Sequence, residues 1–413
     1  MVKTVRDGLT GELIDITDVQ KITETPEFIR LYHIAQLGCA WTIFPDARHK
    51  RAGHSLGTYA KTKKYQESLG LDPELSVAGL IHDLPHSAYA HDGETALRFY
   101  ENRSHDDRLD QIYKIEDVVE ENFDFKKVLK IFKRENPQWR VIWERLGTDK
   151  QDYVNRDRRF CGFDPVETSG FEKYAKYDEE SGLRFPESQA GWMKDFLSSW
   201  LRSHQEIYFR KKNLLVQEEL IRSIYYGLET GQLKEKTVVE GCDSQVEAEL
   251  LSAESTYSPH VPSPKKMMES VLKRGGYSAV LTLKKEGMSW RENRGGKSLG
   301  VAELCDEEVK TFEKRIEGRK VIDEEIELSR KLGYPVLICR MANWDRMKPR
   351  DVPLGDSGTL FSYFPTFRES LKEDAESFYA VRISVEKEKR DYAFRNDLQT
   401  IIDTLSITAK LHN

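Results

Sequence analysis

The run from Leu71 to Pro85, LDPELSVAGLIHDLP, constrains the fold more than any other stretch of this chain. Leu75, Val77, Ala78, Leu80 and Ile81 nearly encircle a helix, and a helix that is apolar all round belongs in the interior of a protein. Asp72 stands at the N-cap position, Pro73 suits the first helical position, Glu74 suits the positive end of the dipole, and Pro85 ends the helix. The buried helix then runs straight into two polar residues, His82 and Asp83. Polar side chains there are costly unless they are paired or bound to something. A lone histidine would be a hydrogen-bonded core residue. An adjacent His-Asp pair is harder to dismiss, because imidazole and carboxylate are both good ligands for a borderline divalent cation.

Around this helix the first half of the chain reads as a series of amphipathic helices. TPEFIRLYHIAQLG has apolar residues at helical spacing, with Gly38 as its expected closing cap. A second helix is predicted from about Arg51 to Ser68, with Gly70 beyond its end. Further helical patterns run through DQIYKIEDVVEENF, FKKVLKIF and the long stretch from Trp192 to Leu228. Ser, Pro and Lys then dominate residues 252–266, which marks a linker. Beyond it, YSAVLTLK, YPVLICRM and SFYAVRISV are predicted strands separated by helical patches. The expected architecture is mainly α: a helical domain over residues 1–235 and a smaller C-terminal α+β region over 236–413.

Composition removes several alternatives. Five scattered cysteines with no C-x-x-C pair argue against a disulfide framework and a thiolate zinc site, and favour a reducing interior. No apolar run approaches the roughly 20 residues needed to cross a bilayer, and the first residues lack a signal-peptide core, so a cytoplasmic protein without a membrane partner is expected. The net charge of −6 does not point to nonspecific nucleic-acid binding. RENRGGKSLG contains Gly-Lys-Ser, but Arg291 stands where a phosphate-binding loop needs glycine, so this is read as a basic loop.

The partners that His82 and Asp83 require have candidates. Pro85 turns the chain, so that His86 and His91 can point from a loop across the mouth of the same site. KRAGHSLGTYA places His54 early in a helix, and GTDKQDYVNRDRRFCG places Asp149 at the start of another. Along the latter, Asp149, Tyr153 and Asp157 are four residues apart and line roughly one face. His33 and His204 are read as packing or surface residues, and His49 is placed either toward the site or toward solvent.

Taken in order, RDGLTGELIDIT, FIRLYHIAQLG, FPDARHKRAGHSLG, AGLIHDLPHSAYAH and TDKQDYVNRD resemble the HD-domain phosphohydrolases. More narrowly they resemble the deoxynucleoside triphosphate triphosphohydrolase branch, over roughly residues 5 to 225. The resemblance implies an HD-type helical core and His54, His82, Asp83 and Asp149 as ligands of a divalent ion (Mn, Fe, Zn, Co or Mg). It implies His86, His91 and His105 beside the phosphates as catalytic groups, with Arg51 and Lys150 as cations holding the triphosphate. Gln36 and Asp157 would read the sugar 3′-hydroxyl, Tyr153 would pack on the sugar, and Tyr208 would lie near sugar and base. A deoxynucleotide substrate, a regulatory nucleotide and a homo-oligomer are implied as partners. The family typically has glycine where Pro85 stands, and an arginine where Trp200 falls, with Arg202 close by.

The chemistry fits these roles. Hydrolysing a phosphate ester needs a nucleophile at neutral pH, which a divalent ion supplies by lowering the pKa of water to about 7. It needs positive charge where the phosphoryl oxygens gather negative charge, and an acid for the leaving 5′-oxygen, which a histidine near its ordinary pKa can be. Two rivals stand beside this reading. One is phosphomonoester or phosphodiester hydrolysis of nucleotides or nucleic-acid ends by the same site; the other is a nucleotide- or nucleic-acid-binding regulator without turnover.

Overall fold

The computed structural model describes residues 2–101, 109–286, 300–340, 351–376, 380–407 and 411–412. His105 and Arg291–Ser298 of the basic loop lie outside the described residues. The chain opens with a hairpin in which Thr4–Arg6 pairs antiparallel with Leu13–Asp15. TPEFIRLYHIAQLG does not then form one helix. Thr25 caps a short helix, Pro26–Arg30, by accepting the Phe28 N–H, and a tight turn at Leu31–His33 follows. Ile34 is extended. The reason is a competing backbone partner: Gln36 N–H donates to His49 O and Arg51 N–H to Ile34 O, each at 3.0 Å. Apolar spacing cannot register such a bond.

Helix α1 (Arg51–Leu69) ends as expected at Gly70, whose φ of +63° turns the chain while its N–H closes on Gln66 O. Helix α2 (Glu74–Ile81) is buried along its whole length, as its sequence requires. It starts one residue later than Asp72 at the cap would place it. The Asp72 carboxylate accepts from Gln138 Nε2 at 2.9 Å instead of capping. Helices α3 (His91–Glu101), α4 (Thr148–Phe160), α5 (Ala190–Ser203), α6 (Lys211–Glu229) and α7 (Asp243–Ser252) complete the frame of the cleft. Between α5 and α6 the backbone widens into a π turn at His204–Tyr208. Such turns recur at functional positions.

Strands β1 (Tyr277–Lys285), β2 (Gly300–Leu304), β3 (Val336–Arg340), β4 (Ala380–Glu386) and β5 (Leu411–His412) form one sheet in the order β5-β2-β1-β4-β3. Only β1 and β2 run parallel. The protein is thus mainly α with a C-terminal region of sheet and helices. Strands β2, whose buried face is Gly300, Ala302 and Leu304, and β5, of two residues, went unread in the sequence.

Two large apolar cores hold these parts. The first joins Phe28, Leu31, the apolar residues of α2, Val154 and Phe196 to Val352, Leu354, Leu360 and Phe361 from far down the chain. The second joins Leu97 and Phe99 of α3 and Leu220 and Ile224 of α6 to Val280, Leu281, Ile338 and Ile383 of the sheet. A cleft of about 1450 Å³ is lined by α1, α3, α4 and α6 and, from the C-terminal region, by Lys310, Lys314 and Val381. No described helix is long and apolar enough to cross a membrane.

Candidate metal centre

The inner face of α1 is polar yet buried: Arg51, His54, Ser55, Thr58 and Thr62 are all shielded from solvent. Gly57 lets α4 approach, since a Cβ there would collide with the Asp152 carboxylate. Asp152 holds His54 Nδ1 at 2.8 Å and is itself held by Arg156 at 2.8 and 2.9 Å, while Arg156 also reaches Asp7 at 2.9 Å. His82 Nδ1 meets the Gly79 carbonyl at 2.8 Å. With both Nδ1 atoms engaged as donors, the two Nε2 atoms turn lone pairs toward each other, 3.2 Å apart. Asp149 Oδ1 lies 3.1 Å from His54 Nε2 and 3.6 Å from His82 Nε2. Three electron-pair donors this close repel one another unless a proton or cation lies among them.

Asp83 closes the group. Its Oδ1 is 3.3 Å from His82 Nε2 and its Oδ2 is 3.7 Å from His54 Nε2. Arg51 donates to Oδ2 at 2.7 Å, and His86 Nε2 lies 3.1 Å from Oδ1. Burial works to raise the Asp83 carboxyl, but Arg51, His82 and His86 outweigh it and hold Asp83 well below the usual carboxylate range. Burial likewise opposes ionisation of Asp149, and its bonds to His54 and His82 win. Burial presses His54 down, yet Asp149, Asp152 and Asp83 together raise it to about 10. Two imidazole nitrogens and carboxylate oxygens suit a borderline divalent ion. The four side chains expected to meet do meet; among the described residues His54, His82 and Asp149 form one set compact enough for an ion, and His86, His91 and Glu94 form a second.

Asp152, which sequence reasoning passed over, is the ring-orienting partner of His54. Its sequence signal was the i,i+4 pair with Arg156 on α4. Asp152→Asn keeps the size and removes the charge, and is expected to weaken metal affinity about 10–100-fold. Competition against a chelator measures this; an unchanged affinity would show that His54 needs no such support.

The other candidate residues fall along the cleft, with two exceptions. Gln36, Arg51, His86, His91, Tyr153, Asp157 and Tyr208 line it. Lys150 lies beside it, 5.2 Å over the Trp200 ring in a cation–π contact, and His105 is outside the described residues. Arg202 faces solvent and cannot stand in for the arginine expected near Trp200. The Trp200 ring instead packs against Lys150 and, edge-on, against His204. His204 is no mere packing residue: it lines the cleft, and burial lowers its pKa to about 4, so it is neutral.

Asp157 is gripped from both sides, by His49 Nε2 at 2.8 Å and by the Tyr208 hydroxyl at 2.6 Å. His49 therefore faces the site and stacks on Phe160 with centroids 4.6 Å apart. Glu94, also unread in the sequence, binds His86 Nδ1 with one carboxylate oxygen and His91 Nδ1, at 3.1 Å, with the other. Its signal was the three-residue step from His91, one turn along α3.

Comparison with known proteins agrees with this geometry. Residues 51–160, from Arg51 through the His-Asp doublet to the end of α4, match the HD domain family model. A 101-residue stretch is 35% identical to the deoxynucleoside triphosphate triphosphohydrolase SAMHD1 of Bos taurus, covering 22% of this chain and 17% of that protein. Residues 51–160 are an HD domain. The HD domain is also shared with a putative HD domain-containing protein of Acanthamoeba polyphaga mimivirus, 24% identical over 245 residues, 50% of this chain and 53% of the relative. The chain thus spans about half the length of that curated relative and much less of SAMHD1. Around the HD domain the fold continues to match a phosphohydrolase crystal structure from Bacteroides thetaiotaomicron, with a TM-score of 0.65 and 17% identity over 93% of this chain and 100% of that one.

Proposed function

We propose that this HD-domain phosphohydrolase cleaves deoxynucleoside triphosphates to the deoxynucleoside and inorganic triphosphate. One observation carries the reading. A single cleft joins the His/Asp cluster and Arg51 to a wall of Gln36, Tyr153, Asp157 and Tyr208, so phosphate chemistry and sugar-sized recognition share one space. A divalent ion held by His54, His82, Asp83 and Asp149 would supply an activated water and positive charge to the α-phosphoryl group.

The chain's own residues do the remainder. Arg51 is buried and holds Asp83 with one nitrogen, while its Nε and second terminal nitrogen have no protein partner, which leaves two donors for phosphate oxygens. Lys133 and Arg134 add positive charge along the cleft. His91, whose ring is largely exposed to the cleft and tied at Nδ1 to Glu94, is placed to give a proton to the departing 5′-oxygen as the α-phosphorus–oxygen bond breaks. The buried Asp157 carboxylate, fixed by His49 and Tyr208, can accept a 3′-hydroxyl, and the unpartnered Gln36 Oε1 can take another donor. Tyr153 closes on the sugar side, its ring 6.3 Å from that of His54. A site that leaves polar groups stranded discriminates far better than one that merely lacks room, so the 3′-hydroxyl contact should matter more than steric exclusion at C2′.

The test incubates the protein with each dNTP and NTP in the presence of Mn²⁺, Mg²⁺ or Co²⁺ and resolves the products. Triphosphate and deoxynucleoside in equal amounts are expected. Orthophosphate from mononucleotides alone would replace this reading with the phosphomonoesterase one, and no turnover with bound metal would favour a binding regulator.

A further inference from the structure

The loop between His86 and His91 carries two consecutive non-glycine residues in the left-handed region, Tyr89 at φ 57° and Ala90 at φ 53°. L-residues adopt this conformation at a cost, so something must hold it. The hold comes from residues 238–247. Ala88 N–H donates to Val238 O at 2.9 Å, and the Tyr89 hydroxyl donates to Glu247 at 3.2 Å. Asp243, at the start of α7, accepts the Tyr89 N–H on Oδ1 at 2.7 Å. Its Oδ2 accepts the Ala35 N–H, also at 2.7 Å, with Lys50 Nζ 3.8 Å away. Arg30 adds a second brace, donating to Leu84 O and His86 O at 2.7 Å and to Gly241 O at 3.2 Å.

One buried carboxylate therefore ties together the backbones of two walls of the cleft. Ala35 precedes Gln36, and Tyr89 lies between His86 and His91. We propose that Asp243 is a positioning residue: it sets the separation of the sugar-side segment from the histidine loop and holds Tyr89 and Ala90 in their unfavourable conformation. This rests on the triphosphohydrolase reading of the cleft. Asp243 contacts none of the metal-cluster residues and does not itself line the cleft, which it reaches through the Tyr89 backbone, so its loss should leave metal binding intact. It acts through geometry, and a displacement of about 1 Å between reacting groups costs roughly a hundredfold in rate.

Asp243→Asn is the decisive variant, because it keeps the shape and replaces one acceptor by an N–H donor facing a backbone N–H. Measured on the full chain, kcat should fall about ten- to a hundredfold while metal content stays at the wild-type level. Hydrogen exchange should rise together in the peptides spanning 34–38 and 86–92. Tyr89→Phe, which keeps the ring and removes only the bond to Glu247, should lower kcat about two- to fivefold by the same route; it decides the question if Asp243→Asn does not fold. Unchanged kcat, or faster exchange in only one of the two peptides, would overturn the proposal. Should the wild type release no triphosphate, the functional reading falls and the paired exchange alone decides whether Asp243 holds the two walls.

Discussion

Asp149→Ala is expected to empty the metal centre and lower turnover by at least about a thousandfold, since the metal accounts for several kcal/mol of transition-state stabilisation. Asp149 is the informative ligand to remove because it is the most accessible of the four, at 23% side-chain exposure, and holds no other charged residue than the two histidines. Asp83→Ala is harder to interpret, as it strands the buried Arg51 guanidinium. Elemental analysis of the purified variant, beside a thermal melt showing that it folds, makes the measurement. Wild-type metal content in Asp149→Ala would remove it from the ligand set and with it the convergence of α1, α2 and α4 on one ion.

The second large effect lies away from the chemistry. Arg222 of α6 is fully buried and bonds Glu325 through two nitrogens at 2.8 and 2.9 Å and Glu218 through a third at 2.8 Å. Glu325 also accepts the Ile338 N–H of β3 at 2.8 Å, so this cluster ties a wall of the cleft to the sheet. Arg222→Met would leave two buried carboxylates without their cation, a loss of about 3–5 kcal/mol. The pH dependence has a definite sign. Burial already raises Glu325 against the pull of Arg222, and without Arg222 it rises further. A carboxyl whose folded pKa lies above its unfolded value stabilises below the unfolded pKa, and that stability is lost as pH climbs through the folded pKa. The deficit of Arg222→Met should therefore be larger near pH 8 than near pH 5. Denaturant unfolding at both values measures it, and a deficit independent of pH would mean that the carboxylates find other partners.

Much of the centre was legible because its ligands sit on regular helices. His82 and Asp83 announced themselves as polar residues closing an apolar helix, and Asp149, Tyr153 and Asp157 as one face of another. What escaped the sequence was held by contacts between distant segments. Asp152 and Glu94 look like ordinary helix-surface acids until α4 lies against α1 and the loop folds back onto α3. The break after Arg30 escaped because a backbone bond to His49 and Arg51 outcompeted the helix. Strand β5 escaped because two residues carry no pattern, and β2 because its buried face is Gly300, Ala302 and Leu304, of which only leucine is strongly apolar.

Local order along the chain, where an apolar stripe or a capping glycine needs only its near neighbours, determined α1, α2 and three of the strands, together with the kind of residue able to bind a metal. Tertiary structure alone decided which nitrogen of His54 faces inward, that Arg51 keeps two nitrogens without a protein partner, and that Asp243 joins two walls of the cleft. Those outcomes depend on hydrogen bonds whose partners lie 32 to 208 residues apart, and no pattern within a few helical turns encodes which carboxylate will reach which donor.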